Sequence, residues 1–161
     1  MPMPAATVLE ILGRLRTRDL DVRLAGGWGI DALLRRQTRA HRDLDLLHRA
    51  EQETAVLQAL DDFRETENAR PVRFVLSRDD GAELDLHPLH FAPDGSATQA
   101  ADDRGGTFPY PAACFVTGEI AGTPVPCLSV AQQRYFHRGY EPRPHDLADL
   151  RELRHEFGVE S

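Results

Sequence analysis

The chain has 161 residues and a formal net charge of −7, which suits one domain around one core and argues against a nucleic-acid partner, whose binding would need clustered basic side chains. No apolar run approaches the length of a membrane span and no signal-peptide pattern follows Met1-Pro4, so a cytoplasmic protein without a membrane partner is expected. All 19 lysine-or-arginine positions are arginine, with lysine absent, which reads as codon bias rather than chemistry.

Val8, Ile11, Leu12 and Leu15 recur at helical spacing and predict an amphipathic helix with Thr7 as its cap. Residues 22–24 predict a short strand that ends in Gly26-Gly27, and residues 29–36 a helix whose N-terminus faces that turn. A second strand is expected over 43–47 and a helix over 51–61. Residues 72–77 and 83–89 flank Arg78-Asp79-Asp80-Gly81 and predict a hairpin, with Glu83, Asp85 and His87 on one face and Leu84 and Leu86 on the other. The polar, glycine-containing segment 94–106 predicts a loop. A further hairpin is expected from 115–120 and 123–128 through Ala121-Gly122. Cys114 and Cys127 lack metal-ligand spacing and are expected as buried thiols. Two helices, about 130–139 and 145–157, close the chain around the breaker Glu141-Pro142-Arg143-Pro144. The expected fold class is α+β, a single domain over 1–161: a small mixed sheet with helices packed on it, core about 7–128 and C-terminal helices about 129–158.

The chemistry concentrates between Gly26 and Asp45. On a strand, Asp43 and Asp45 would share one face with Leu44 and Leu46 opposite. Two like charges side by side disfavour folding unless a cation lies between them. Carboxylate oxygens suit Mg²⁺, which keeps waters and shares phosphate ligands. Gly26 and Gly27 could present backbone N–H groups to a phosphate, and a helix N-terminus behind them favours an anion. Arg39, His41 and Arg42 stand just upstream of the acidic pair, and arginine offers phosphate a two-pronged fork. A plain surface loop is the competing reading for the arginines, and core packing is the favoured one for Trp28. Glu83 competes with Asp85 for the place of a third carboxylate on the neighbouring strand.

The Gly-Gly turn, short helix and Asp-x-Asp pattern resembles the nucleotidyltransferase superfamily typified by DNA polymerase beta. More narrowly, Gly26-Gly27-Trp28-Gly29-Ile30-Asp31, Thr38-Arg39-Ala40-His41-Arg42-Asp43-Leu44-Asp45 and Leu84-Asp85-Leu86-His87-Pro88 look like the small antibiotic adenylyltransferases. Asp94 to Gln99, Pro126 to Ser129 and His137 to Tyr140 look most like the short lincosamide nucleotidyltransferases. The resemblance runs from about Val22 to Leu153. It implies a polymerase-beta-type sheet and ATP as nucleotide. Asp43, Asp45 and Asp85 would be ligands of Mg²⁺, and Gly26, Gly27, Arg39, His41 and Arg42 would lie at the triphosphate. The general base would be His87 or Asp85 itself. Relatives often open the last helix with Lys-Asp where this chain has His145-Asp146; Asp146 and Asp149 could simply favour that helix's N-terminus. The implied reaction moves AMP to a hydroxyl of a lincosamide, in a homodimer whose second subunit completes the acceptor site. An aminoglycoside acceptor, or a nucleotide-binding regulatory or antitoxin-type module, is the alternative.

Overall fold

The computed structural model describes residues 2–136 and 144–157. Helix α1 (Ala5–Thr17) buries Val8, Ile11, Leu12 and Leu15, the four positions that the spacing selects. Its cap is Pro4 rather than Thr7: the Pro4 carbonyl accepts from the Thr7 and Val8 N–H groups, which puts Thr7 inside the first turn. Strand β1 (Val22–Ala25) leads directly into α2 (Gly26–Leu34), which ends where Arg35 turns left-handed. The Gly-Gly turn is thus the first turn of the helix and not a link preceding it. Strand β2 (Leu44–Arg49) follows, then a 3₁₀ turn and the short helix α3 (Glu53–Ala59).

Strands β3 (Arg64–Ala69), β4 (Arg73–Ser77) and β5 (Glu83–Phe91) form a meander. The segment expected as a loop contains β6 (Ala97–Ala100), and β7 (Thr107–Tyr110) lies just beyond it. Their order comes from β5, which extends past β4 and offers Leu89, His90 and Phe91 to β6. Strands β8 (Phe115–Ile120) and β9 (Thr123–Leu128) make the expected hairpin, with Ala121 and Gly122 both at positive φ in its turn. Helices α4 (Val130–Phe136) and α5 (Pro144–Phe157) complete the described chain; the expected helical stretch 137–139 and the motif from His137 to Tyr140 lie outside the described residues.

The sheet runs β3-β4-β5-β2-β1-β9-β8, with β6 on β5 and β7 on β6. It is mixed, since β2 pairs parallel with β5 and β1 parallel with β9. One face carries Val22, Leu24, Leu44, Leu46, Leu84 and Leu86 into the main core with α1, α3 and part of α2. The opposite face has a smaller core of Ala25, Leu47, Leu89, Ala97, Tyr110, Cys114 and Leu128 under β6 and β7. Cys114 and Cys127 are free and buried, and burial pushes both thiols up to about 11. No helix among the described residues is long and apolar enough to cross a membrane.

Candidate active site

Period-two alternation decides which carboxylates meet. Leu44 and Leu46 are fully buried in the main core, so Asp45 must point from the other face of β2. The central position of β2 then sets its neighbours: Asp45 is opposite Ala25 on β1 and opposite Asp85 on β5. His87 lies two residues further along β5 on the same face. One ligand atom from each of Asp45, Asp85 and His87 lies within 4.8 Å of the others, the spacing of groups that share a cation. Glu83, the competing carboxylate, pairs with Ser77 on β4 and lies outside this cluster. Asp43 lies one residue before β2 and is exposed, at the open end of the same strand.

Burial and charge strain the cluster in a readable way. Burial and the neighbouring Asp45 charge raise the Asp85 pKa, and the opposing pull of His87 and Arg73 is insufficient to reverse this. Arg73 on β4 reaches both oxygens of Asp85 at 3.3 Å. His87 is nearly enclosed. Its Nε2 lies 3.1 Å from Asp45 and 3.6 Å from Asp85. Burial works against a charged ring, but the bond to Asp45 and the charges of Asp85 and Asp45 outweigh it and raise the His87 pKa.

The other side of that ring carries two residues that sequence reasoning missed. Tyr110 donates to Gln99 Oε1 at 2.6 Å, which turns the amide nitrogen toward His87 Nδ1 at 3.4 Å. This arrangement suits a neutral ring with its proton on Nε2, donating to Asp45. Protonating Nδ1 as well would set N–H against N–H unless the amide turned over, so Gln99 and Tyr110 oppose the charge that the carboxylates favour. Ala97 and Gln99, two apart and alternating with exposed Thr98 on a strand that buries both, would have been the only signal, and segment 94–106 reads as loop in one dimension.

The Gly-Gly turn sits against this cluster. Gly26 has φ +64, and a Cβ there would run into Asp45 Oδ2 and lie 2.9 Å from its Cγ. Gly27 is bounded on its other side by His41 Nδ1 and by Arg39 Nη2, 3.1 Å from where a Cβ would stand. Neither glycine can carry a side chain without moving a polar group. Three further hydrogen bonds hold the loop after α2 in place. Asp31, buried on an otherwise apolar helix, accepts from Thr38 N at 3.1 Å, Thr38 Oγ1 at 2.7 Å and His41 Nε2 at 2.5 Å. A lone acid among Trp28, Ile30, Ala32 and Leu34 was a signal, because a buried carboxylate requires partners. With Nε2 so engaged, His41 Nδ1 is buried without a hydrogen-bond partner among the described residues, facing Gly27. Trp28 packs tilted on His41 at 5.0 Å and is core, as expected.

Arg39 is brought to the turn and Arg42 is exposed beside Asp43. Asp149 is not an N-terminal charge on α5; it is 1% exposed and accepts from Arg39 Nε and Nη2, both at 2.8 Å. The side chains of His145 and Asp146 lie outside the described residues.

This geometry, an anion-seeking helix N-terminus beside a carboxylate cluster, fits the residues to a divalent cation and a phosphate. A family model described as aminoglycoside-2''-adenylyltransferase matches residues 7–153. A lincosamide resistance protein of Staphylococcus haemolyticus is 34% identical over 133 residues, covering 81% of this chain and 82% of that protein. A 2''-aminoglycoside nucleotidyltransferase of Klebsiella pneumoniae is 33% identical over 121 residues, covering 74% of this chain and 64% of that protein. Among solved structures, the lincomycin-bound lincosamide antibiotic adenylyltransferase LnuA is similar with a TM-score of 0.86 and 29% identity, over 96% of this chain and 98% of that one. ANT(2'')-Ia, solved with adenylyl-2''-tobramycin, shares the fold at a TM-score of 0.74 and 23% identity, over 96% of this chain and 89% of that one.

Proposed function

The chain belongs to the aminoglycoside-2''-adenylyltransferase family, and on that premise we propose that it transfers AMP from ATP to a hydroxyl of a lincosamide antibiotic and so confers resistance. The carrying observation is the placement of Asp45, Asp85 and His87 beside the Gly26-Gly27 helix start. The acceptor class follows the 34% identity to the lincosamide resistance protein, which spans four fifths of both chains, and the likeness to lincomycin-bound LnuA. The aminoglycoside relative is matched over a smaller share of its own length.

In this reading the acceptor oxygen attacks the α-phosphorus, the bond to the bridging oxygen breaks, and pyrophosphate leaves. Gly26 and Gly27 present the free N–H groups of the α2 N-terminus to the phosphates, with Arg39, His41 and Arg42 around them. Asp43, Asp45 and Asp85 would hold Mg²⁺, which when bound neutralises the phosphates and the departing charge. Asp85, set beside Asp45 on the neighbouring strand, takes the hydroxyl proton on its carboxylate. His87 Nε2–H is committed to Asp45, so His87 steadies the carboxylate pair rather than removing the proton. The protein acts as a cytoplasmic homodimer, the second copy closing the acceptor side of a face on which Asp45 and Asp85 are still 18% exposed.

The test is mass spectrometry of lincomycin, clindamycin and an aminoglycoside panel after incubation with the protein, ATP and MgCl₂, beside Asp45→Asn. Gain of one AMP on a lincosamide, absent with the variant, is the expected result. AMP on an aminoglycoside alone would overturn the acceptor but keep the chemistry. No adduct together with tight ATP binding would favour a regulatory module. Size-exclusion chromatography showing a fully active monomer would remove the homodimer.

A further inference from the structure

Helix α5 is tied to the N-terminal half of the chain by two kinds of ion pair. Arg36 reaches Glu152 at 3.0 Å and Glu156 at 3.6 Å, and all three side chains are more than two-fifths exposed. Pairs of that kind contribute little and are screened by salt. Asp149 differs: it is 1% exposed and grips the Nε and Nη2 edge of Arg39 with two bonds of 2.8 Å. A buried carboxylate left without its partner is costly, so this pair sets where the Arg39 guanidinium stands.

Three observations say what that position serves. Arg39 Nη2, the atom bound by Asp149, also stands against Gly27, 3.1 Å from where a Cβ would be. Arg39 Nη1 donates to the Ala40 carbonyl at 3.0 Å, so the guanidinium is held on two edges. The same side of Gly27 also carries His41 Nδ1, buried without a hydrogen-bond partner among the described residues. A nitrogen in that state points to a ligand at the turn.

We infer that Asp149 is a positioning residue of the nucleotide site: it fixes the Arg39 fork at the start of α2, so that docking of α5 and binding of a nucleoside triphosphate are coupled. This rests on the reading that the triphosphate binds at the Gly26-Gly27 turn. A bidentate carboxylate also removes most of the net charge of Arg39. Its part is then to present oriented N–H donors rather than a loose positive charge. Coupling is reciprocal, so a nucleotide on the turn strengthens the seating of α5 by the same factor that the seated helix strengthens nucleotide binding.

The experiment compares the wild type, Asp149→Asn and Glu152→Gln by two readouts. The first is steady-state kinetics, separating KM for ATP from KM for the antibiotic. The second is amide hydrogen exchange over residues 144–157 with and without ATP and MgCl₂. Asp149→Asn is expected to raise KM for ATP about tenfold, the lower end of what loss of an orienting partner costs, with the antibiotic KM unchanged. It should also abolish ATP-induced protection of α5, while Glu152→Gln retains both properties. If the two variants behave alike in both readouts, Asp149 merely docks the helix and the inference falls. Should Asp149→Asn fail to fold, Arg39→Lys, which keeps the charge and loses the fork, is read the same way with the same expectations. Wild-type protection confined to residues 25–42 would overturn this inference alone. Wild-type protein that shows no ATP-dependent protection anywhere would overturn the nucleotide reading and this inference with it.

Discussion

Replacing Gly26 by alanine separates backbone strain from damage to the site. Gly26 and Gly122 both have positive φ, +64 and +81, where an L-residue costs about 1–2 kcal/mol. Around Gly122 there is nothing within 4 Å of an added Cβ, so Gly122→Ala measures that backbone cost by itself. At Gly26 the methyl would overlap Asp45 Oδ2 and stand 2.9 Å from Cγ and 3.3 Å from Cβ, so the carboxylate must swing away. It cannot do so freely, being held by His87 at 3.1 Å and flanked by Asp85. Overpacking of this kind costs about 1–3 kcal/mol, which places Gly26→Ala at about 2–5 kcal/mol in total. A displacement on the order of 1 Å in a reacting group costs about 10²-fold in rate. Urea denaturation midpoints of both variants and the rate of AMP transfer at saturating ATP are the measurements. Activity within twofold of wild type in Gly26→Ala, with stability matching Gly122→Ala, would refute the contact between turn and carboxylate on which the site rests.

Asp45→Asn should abolish transfer yet leave metal-free stability unchanged or up to about 1 kcal/mol higher, because it relieves repulsion from Asp85 and can still accept from His87; urea denaturation in EDTA showing a loss above about 2 kcal/mol would contradict this. His87→Gln should lower kcat about 10–100-fold, as for loss of an orienting partner, whereas Asp85→Asn should leave no measurable turnover. Equal losses in the two would return the base to His87. His48 is buried with its pKa lowered, by burial above all, against the partial support of Glu53. Below its ordinary value of 6.5 the unfolded chain takes up a proton that the folded one refuses, so stability falls as pH drops through that point, by at most about 1.4 kcal/mol per pH unit. Wild type and His48→Gln showing the same slope of unfolding free energy from pH 6.5 to 5 would remove this contribution.

Local chemistry was enough for some of the structure. The β8–β9 hairpin follows from Ala121-Gly122, which can take the positive φ that a tight turn needs, and α1 follows from four apolar residues at helical spacing. The pairing of Asp45 with Asp85 was legible because Leu44, Leu46, Leu84 and Leu86 alternate with them, and burying those leucines forces both carboxylates to one face. Strand β3 escaped because Arg64 to Asn68 is polar and exposed throughout, an edge strand held by its ladder to β4 and by no hydrophobic pattern of its own. Strand β6 escaped for a related reason, its four residues being ordered by the overhang of β5.

The residues that orient the site belong wholly to tertiary structure. Gln99 reaches His87 from a strand that exists only because β5 is long, and Asp149 meets Arg39 from 110 residues away. Nothing in the neighbourhood of either residue in the chain specifies its partner. A period in the sequence reports which face of an element is apolar, and thereby which acids share a face. Which distant polar atom satisfies which buried one depends on how helices and strands seat against each other, since each buried polar group must find its bond in whatever the packed fold brings within reach.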